Sequence, residues 1–233
     1  MSLIGAYRRS IILFDRFCFT VYARKFEVVG REHVPMEGGI IVASNHLNNA
    51  DPPAISLALP RLPTFMAKKE MFGWPILGPA FRAFGAFPVR RTEADLAALR
   101  QATELIEEGR MLIMFPEGTR SRTGGLTKAH PGTALIALRT GAPIVPVAVT
   151  GTEGVRWPFV FLMPYSIKHV KVTIGEPFSL PPVERINTKS AEAATDVIMH
   201  RIAALLPEQY RGVYAGQAAA ASSEGGAAES SFA

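Results

Sequence analysis

The sequence predicts a single α/β domain: a mostly parallel or mixed central sheet flanked by helices, preceded by an amphipathic helical segment. Three observations carry this. Short β-rich runs alternate with helical patterns along most of the chain, as they do where helices cover the faces of one sheet. Several of those runs are apolar throughout, the pattern of strands buried on both faces. The chain has 233 residues, 48% of them hydrophobic, enough for one sizeable core and short for two.

The opening segment, GAYRRSIILFDRFCFTVYARKF, is rich in Ile, Leu and Phe, yet charges interrupt it. Its longest uncharged run, 17–23, falls far short of the ~20 residues that cross a bilayer core. No small-residue cleavage site follows a clean apolar stretch, so it does not read as a signal peptide. Residues 1–25 carry Arg8, Arg9, Arg16, Arg24 and Lys25 against the single acid Asp15. Two readings stand side by side: an interfacial helix whose cations meet anionic lipid, and an ordinary amphipathic helix packed on the core. The main domain is expected over 26–215. The remainder, 216–233, is small, polar and aperiodic, and reads as a disordered tail.

Within the main domain the predicted strands are GIIVAS (39–44), PTFMAK (63–68), AFPV (86–89), MLIMF (111–115), PIVPVAV (143–149) and KHVKVTI (168–174). One helix is predicted after Thr92 as N-cap, with Leu96, Leu99, Thr103 and Ile106 on one face and a stop at Gly109. A second runs from near Pro131 to Gly141, and a third over about Lys189 to Leu206. There is neither an internal repeat nor an interdomain linker.

Composition narrows the function classes. A single cysteine, Cys18, excludes an intrachain disulfide framework, argues against a cysteine-built zinc site and fits a reducing, cytoplasmic setting. The formal net charge of +5 favours a partner bearing negative charge. No nucleic-acid-binding module accompanies that charge, and no nucleic-acid role is expected.

The chemistry concentrates in two stretches. In SNHLNNADPP (44–53) a histidine and an aspartate stand five apart just after a strand, where functional side chains collect in α/β sheets. Asp51 before Pro52 and Pro53 is a sound helix start with Asp as N-cap, which by itself explains Asp51 but not His46. In a continuous helix the two side chains would point about 140° apart, so contact requires a turn, for which Asn48 and Asn49 are suited. Folded back, Asp51 fixes the imidazole tautomer and leaves the other ring nitrogen to take a proton. In FPEGTRSRTG (115–124) a strand runs into Glu117, Gly118, Thr119, Arg120 and Ser121. Gly118 permits a close backbone approach, the hydroxyls offer hydrogen bonds, and Arg120 presents a planar fork suited to phosphate. The plain alternative is a surface turn with a solvated Glu–Arg pair. No G-x-S-x-G elbow, H-E-x-x-H pair or G-K-[ST] phosphate loop occurs, so no protein nucleophile is assigned and His46 needs a hydroxyl to deprotonate.

Four blocks then occur in order: NHLNNAD (45–51), GAFPVRR (85–91), FPEGTRS (115–121) and IVPVAV (144–149), with MAKKEMF (66–72) between the first two. Together they resemble the lysophosphatidic acid acyltransferase family of glycerolipid acyltransferases over roughly residues 27 to 180. The resemblance implies His46 as general base, Asp51 as its orienting carboxylate, and an acceptor site of Glu117, Gly118, Thr119 and Arg120, with Lys68 and Arg91 serving the phosphate. The family often has an acid where Arg90 stands and an aromatic or aliphatic residue where Pro88 stands, which bears on acceptor choice rather than on the chemistry. The 144–149 block is expected to be a core strand without a catalytic role. The implied reaction moves an acyl chain from acyl-CoA or acyl carrier protein to the sn-2 hydroxyl of lysophosphatidic acid, giving phosphatidic acid, with no metal or organic cofactor. Another lysophospholipid or glycolipid acceptor, or a non-catalytic lipid-binding relative, are the alternatives. Peripheral attachment to the cytoplasmic face of a membrane is expected, aided by the N-terminal segment and by FGWPILGPAF (72–81) and WPFVFLMPY (157–165).

Overall fold

The computed structural model describes residues 23, 25–75, 78–79, 82, 86–89, 96–153 and 169–216. The predicted tail beyond 216, the stretch 157–165, Thr92, Arg91 and nearly all of the N-terminal segment lie outside the described residues.

A seven-stranded sheet forms the centre, in the order β1-β7-β6-β2-β5-β3-β4. The strands are β1 (Phe26–Val29), β2 (Ile40–Ser44), β3 (Thr64–Lys68), β4 (Phe87–Val89), β5 (Met111–Met114), β6 (Ile144–Thr150) and β7 (Val170–Ile174). From β6 through β2, β5 and β3 to β4 all neighbours pair in parallel; β7 pairs antiparallel with β6, and β1 follows β7. The six predicted runs are all strands. The seventh, β1, was not predicted, because four residues with a charge among them give too short a pattern to read. It is held at the sheet edge partly by Glu27, whose carboxylate meets Lys25 at 2.6 Å, Lys171 at 3.0 Å and His169 at 3.2 Å.

Apolar side chains leave both faces of the sheet, which is why the central strands read as unbroken hydrophobic runs. Ile41, Ala43, Leu112, Met114, Ile144 and Ala148 face one core. That core is closed by α2 (Leu96–Glu107), α3 (Gly132–Thr140) and α4 (Thr188–Leu205) through Ala102, Ile106, Ile136, Ile198, Met199 and Ile202. On the other face Ile40, Val42, Ile113, Val145 and Val147 pack with Ile55 and Ala58 of α1 (Asp51–Ala58) and with Phe65 and Phe72. Burying a large aliphatic side chain contributes about 1.5–3 kcal/mol, so these two layers dominate the stability of the sheet.

Helix ends follow local chemistry. The last helix begins with a capping box: Asn187 accepts from the Ser190 amide at 2.9 Å, and Ser190 accepts from the Asn187 amide at 2.9 Å. The helix predicted from Pro131 to Gly141 is α3, with Gly141 in the left-handed region at its end. For α2 the predicted face is corrected in part. Ile106 is buried and Leu99 packs against the core as predicted, but Ala98 and Ala102 are the other fully inward positions and Leu96 is 60% exposed, because small alanines can sit against the sheet where leucines would hold the helix away. The predicted N-cap of α1 is also corrected: Ala50 holds that position and Asp51 is the first helical residue. Its carboxylate turns away from the helix amides and bonds backward, while Pro52 and Pro53 occupy the first turn, whose amide hydrogens have no helical partner anyway.

The opposite, amino-terminal edge of the strands is tied by Arg61. Its guanidinium donates to the carbonyls of Pro35 and Gly38, each at 3.0 Å, and of Gly109 at 2.8 Å, joining the segments that enter β2 and β5.

Candidate active site

Parallel neighbours release their chains at the same edge of a sheet, and β2, β5, β3, β4 and β6 all do so here. The segments carrying the predicted site residues therefore leave from one side of the molecule. His46 follows β2, Glu117 follows β5, and Lys68 is the last residue of β3, paired in register with Val89 of β4. The Lys68 side chain and Arg91 are not among what the structure describes.

Between β2 and α1 the chain makes the turn that contact between His46 and Asp51 requires. The Asp51 amide donates to the Asn48 carbonyl at 3.1 Å, and the Asn48 side chain accepts from the Ala50 amide at 3.2 Å. Asp51 is fully buried, and His46 is 8% exposed. One carboxylate oxygen, Oδ2, lies 2.8 Å from His46 Nδ1 and also accepts from the amides of Leu47 at 2.6 Å and Asn48 at 2.7 Å. The other, Oδ1, accepts from the hydroxyl of Thr152. An acceptor-only carboxylate at Nδ1 places the ring proton there and leaves Nε2 with its lone pair. The ring of Phe115 stacks on the imidazole, with centroids 4.1 Å apart and planes inclined by 22°, fixing the ring plane from the side of β5.

The 115–131 loop is bonded directly to the histidine. Glu117, 2% exposed, accepts through Oε1 from the backbone amide of His46 at 3.0 Å. Its Oε2 accepts from the amide of Thr127 at 2.9 Å and from the Thr127 hydroxyl at 2.7 Å. The Ser121 amide donates in turn to the carbonyl of His46 at 2.7 Å. Both backbone groups of His46 are thus held by the loop that the resemblance assigned to the acceptor. Glu117 faces inward, with both oxygens engaged by the protein, whereas Gly118, Thr119 and Arg120 are exposed on the outer side of the same turn. Gly118 makes that division possible: its φ of 68° is the left-handed region.

Two further residues shape the site that the sequence reading did not single out. Asn45 is buried and pairs with the backbone of Val149 in β6, donating through Nδ2 and accepting through Oδ1, each at 2.8 Å. Thr152 comes from the turn after β6. Neither carries a local signal, because the partners lie 104 and 101 residues away. A short carboxy-terminal stretch braces the same loops. The Leu126 amide donates to the carbonyl of Tyr210 at 2.9 Å, the Val213 amide donates to that of Leu126 at 3.1 Å, and the Tyr210 hydroxyl donates to Glu153 at 2.6 Å.

A buried His–Asp pair at the carboxyl edge of a parallel sheet, beside a turn that exposes an arginine, has the parts of a site that activates a hydroxyl next to an anion. The family model described as Acyltransferase matches residues 25–150, more than half of the chain, and the chain belongs to that family. It is 32% identical over 160 residues to the chloroplastic 1-acyl-sn-glycerol-3-phosphate acyltransferase BAT2 of Brassica napus, a match covering 64% of this chain and 45% of that protein. To the 1-acyl-sn-glycerol-3-phosphate acyltransferase of Bacillus subtilis (strain 168) it is 29% identical over 180 residues, covering 76% of this chain and 85% of that one. The chain thus matches under half the length of the plant relative and most of the bacterial one. In three dimensions it is similar to the crystal structure of the 1-acyl-sn-glycerophosphate (LPA) acyltransferase PlsC from Thermotoga maritima, with a TM-score of 0.63 and 26% identity over 82% of this chain and 76% of that chain.

Proposed function

We propose that this chain is an acyltransferase that moves an acyl group from a thioester, acyl-CoA or acyl carrier protein, to the sn-2 hydroxyl of lysophosphatidic acid. The observation that carries the reading is the 2.8 Å contact of His46 Nδ1 with a fully buried Asp51, in a loop bonded to the turn that exposes Arg120. The names of the relatives support the choice of acceptor. In this reading His46 Nε2 takes the proton of the acceptor hydroxyl as its oxygen attacks the thioester carbonyl. The carbon–sulfur bond then breaks, and the proton passes to the departing thiolate. Arg120, with Lys68 and Arg91 in the supporting role the resemblance gives them, grips the phosphate and so sets the distance from hydroxyl to imidazole. Glu117, turned inward, acts by positioning His46 rather than by touching substrate. The scheme uses no metal or organic cofactor.

A lipid acceptor brings the site to a membrane surface, and we place the protein peripherally on the cytoplasmic leaflet. Among the described residues no helix is long and apolar enough to span a bilayer, and Trp74 is 52% exposed. The test is an acyl-transfer assay with several lyso-acceptors, phosphorylated and glycosylated, and both donor classes, run beside His46→Ala. A folded His46→Ala should lose about 10²–10⁴-fold in turnover. Full activity in that variant would overturn the assignment of the base, and selective use of a glycolipid would overturn that of the acceptor.

A further inference from the structure

Asp51 is divided unevenly between its two oxygens. Oδ2 accepts from three nitrogens, all within residues 46–48, whereas Oδ1 accepts from Thr152 Oγ1 at 2.5 Å. Thr152 is itself fully buried, so its hydroxyl has no solvent to turn to, and an ionised carboxylate only accepts, so the hydroxyl must donate. Three donors on Oδ2 fix where that oxygen sits, and Thr152 fixes the other end, which together determine the plane of the carboxylate. That plane sets the direction from which Nδ1–H is held, and hence where Nε2 points.

Thr152 reaches this position because the chain turns sharply as it leaves β6. Gly151 has a φ of 87°, and a Cβ there would lie 1.8 Å from the carbonyl oxygen of His169. The turn is thus closed against β7 by a residue that must be glycine, and it delivers the next side chain onto Asp51. The residue lies just past the 25–150 stretch matched by the family model.

We propose that Thr152 is a positioning residue for the His46–Asp51 pair, its hydroxyl locking the carboxylate in the orientation that aims the imidazole at the acceptor. This inference rests on the reading of His46 as the general base. Without the hydroxyl, Oδ1 is a buried oxygen lacking its donor, and the carboxylate is free to rotate about its remaining bonds. A small misalignment of a catalytic group costs up to about 100-fold in rate.

The experiment compares Thr152→Val, which keeps the shape and removes the donor, with Thr152→Ser, which keeps the donor and removes a methyl group. Thr152→Val should lower kcat about 10- to 100-fold with the acceptor KM within about twofold, and Thr152→Ser should restore most of the loss. The same Val substitution placed on Asp51→Asn should cost much less than on the parent, since its effect acts through the carboxylate. Circular dichroism and thermal melts establish that each variant is folded. If Thr152→Val fails to fold, Thr152→Cys, with a weaker donor of similar size, takes its place and should turn over more slowly than both Thr152→Ser and the parent. The inference is overturned if a folded Val or Cys variant turns over like the parent, if Ser is as impaired as Val, if the loss falls on KM, or if it is undiminished in the Asp51→Asn background. His46→Ala separates the two readings. If that variant stays active, the base assignment has failed, whereas an inactive His46→Ala beside a fully active Thr152→Val defeats the role of Thr152 alone.

Discussion

Glu117 Oε1 accepts from the backbone amide of His46 at 3.0 Å, so the two signature stretches of this chain, 71 residues apart in sequence, meet at the base of the imidazole, where the Ser121 amide also donates to the His46 carbonyl. The carboxylate is buried, and its second oxygen is taken by Thr127. A glutamate in that position is a strut between loops.

It follows that Glu117→Gln should lower kcat about tenfold while leaving the acceptor KM within about twofold, because the amide presents a donor where donors already converge. Glu117→Ala strands the amides of His46 and Thr127 and should destabilise the fold by about 1–3 kcal/mol as well. Steady-state kinetics and urea unfolding check both. A large rise in KM with unchanged kcat would return Glu117 to the acceptor site.

Arg120 is exposed on the outer side of the same turn and makes no contact that the fold depends on among those described. Arg120→Ala should leave thermal stability within about 0.5 kcal/mol of the parent. It should raise KM for a phosphate-bearing acceptor by about tenfold or more, and Arg120→Lys should recover only part of this, since a point charge cannot reproduce a bidentate grip. Kinetics with matched phosphorylated and unphosphorylated acceptors decide it.

At the far edge of the sheet, Arg61 ties three backbone carbonyls together. Its removal leaves those acceptors without a charged donor and should cost about 2 kcal/mol. For a domain of this size that lowers Tm by about 4–8 °C. Arg61→Ala should therefore melt earlier in a thermal scan, yet keep the kinetics of the parent per folded molecule.

Tyr210 offers a test by pH. Burial, and then the hydrogen bond to the Glu153 carboxylate, push its hydroxyl up to about 12 from the ordinary 10.0. The folded state therefore holds this proton more tightly than the unfolded chain does. Its contribution to stability is complete below about pH 10 and is lost as the pH rises toward 12. The difference in unfolding free energy between the parent and Tyr210→Phe, followed by urea titration, should be constant from neutral to mildly alkaline pH and shrink above it. A difference that grows with pH would contradict this linkage.

How much of this was legible in the residues depends on the range over which each feature is encoded. The alternation of apolar runs with helical patterns is local, and six of the seven strands and three helices follow from it, because a strand buried on both faces and a helix with an apolar face each write their own period. The His46–Asp51 pair was legible too: five residues, two turn-forming asparagines and a proline-led helix close the loop within a single peptide segment. The face of α2 is legible only in part: Leu99 and Ile106 face the core as their pattern says, but large side chains weigh more in a pattern than the buried Ala98 and Ala102, and Leu96 points outward.

Sequence alone determined the fold class, the family and the location of the general-base candidate, since each is written in short stretches whose meaning survives without their surroundings. Tertiary structure alone decided which way Glu117 faces, that Asn45 is clamped to β6, and that a threonine 101 residues away completes Asp51. A turn carboxylate can reach outward to a ligand or inward to a backbone amide with the same residues. Only the packing of β6, β2 and β5 side by side, which brings their carboxyl ends within hydrogen-bonding distance, chooses between them.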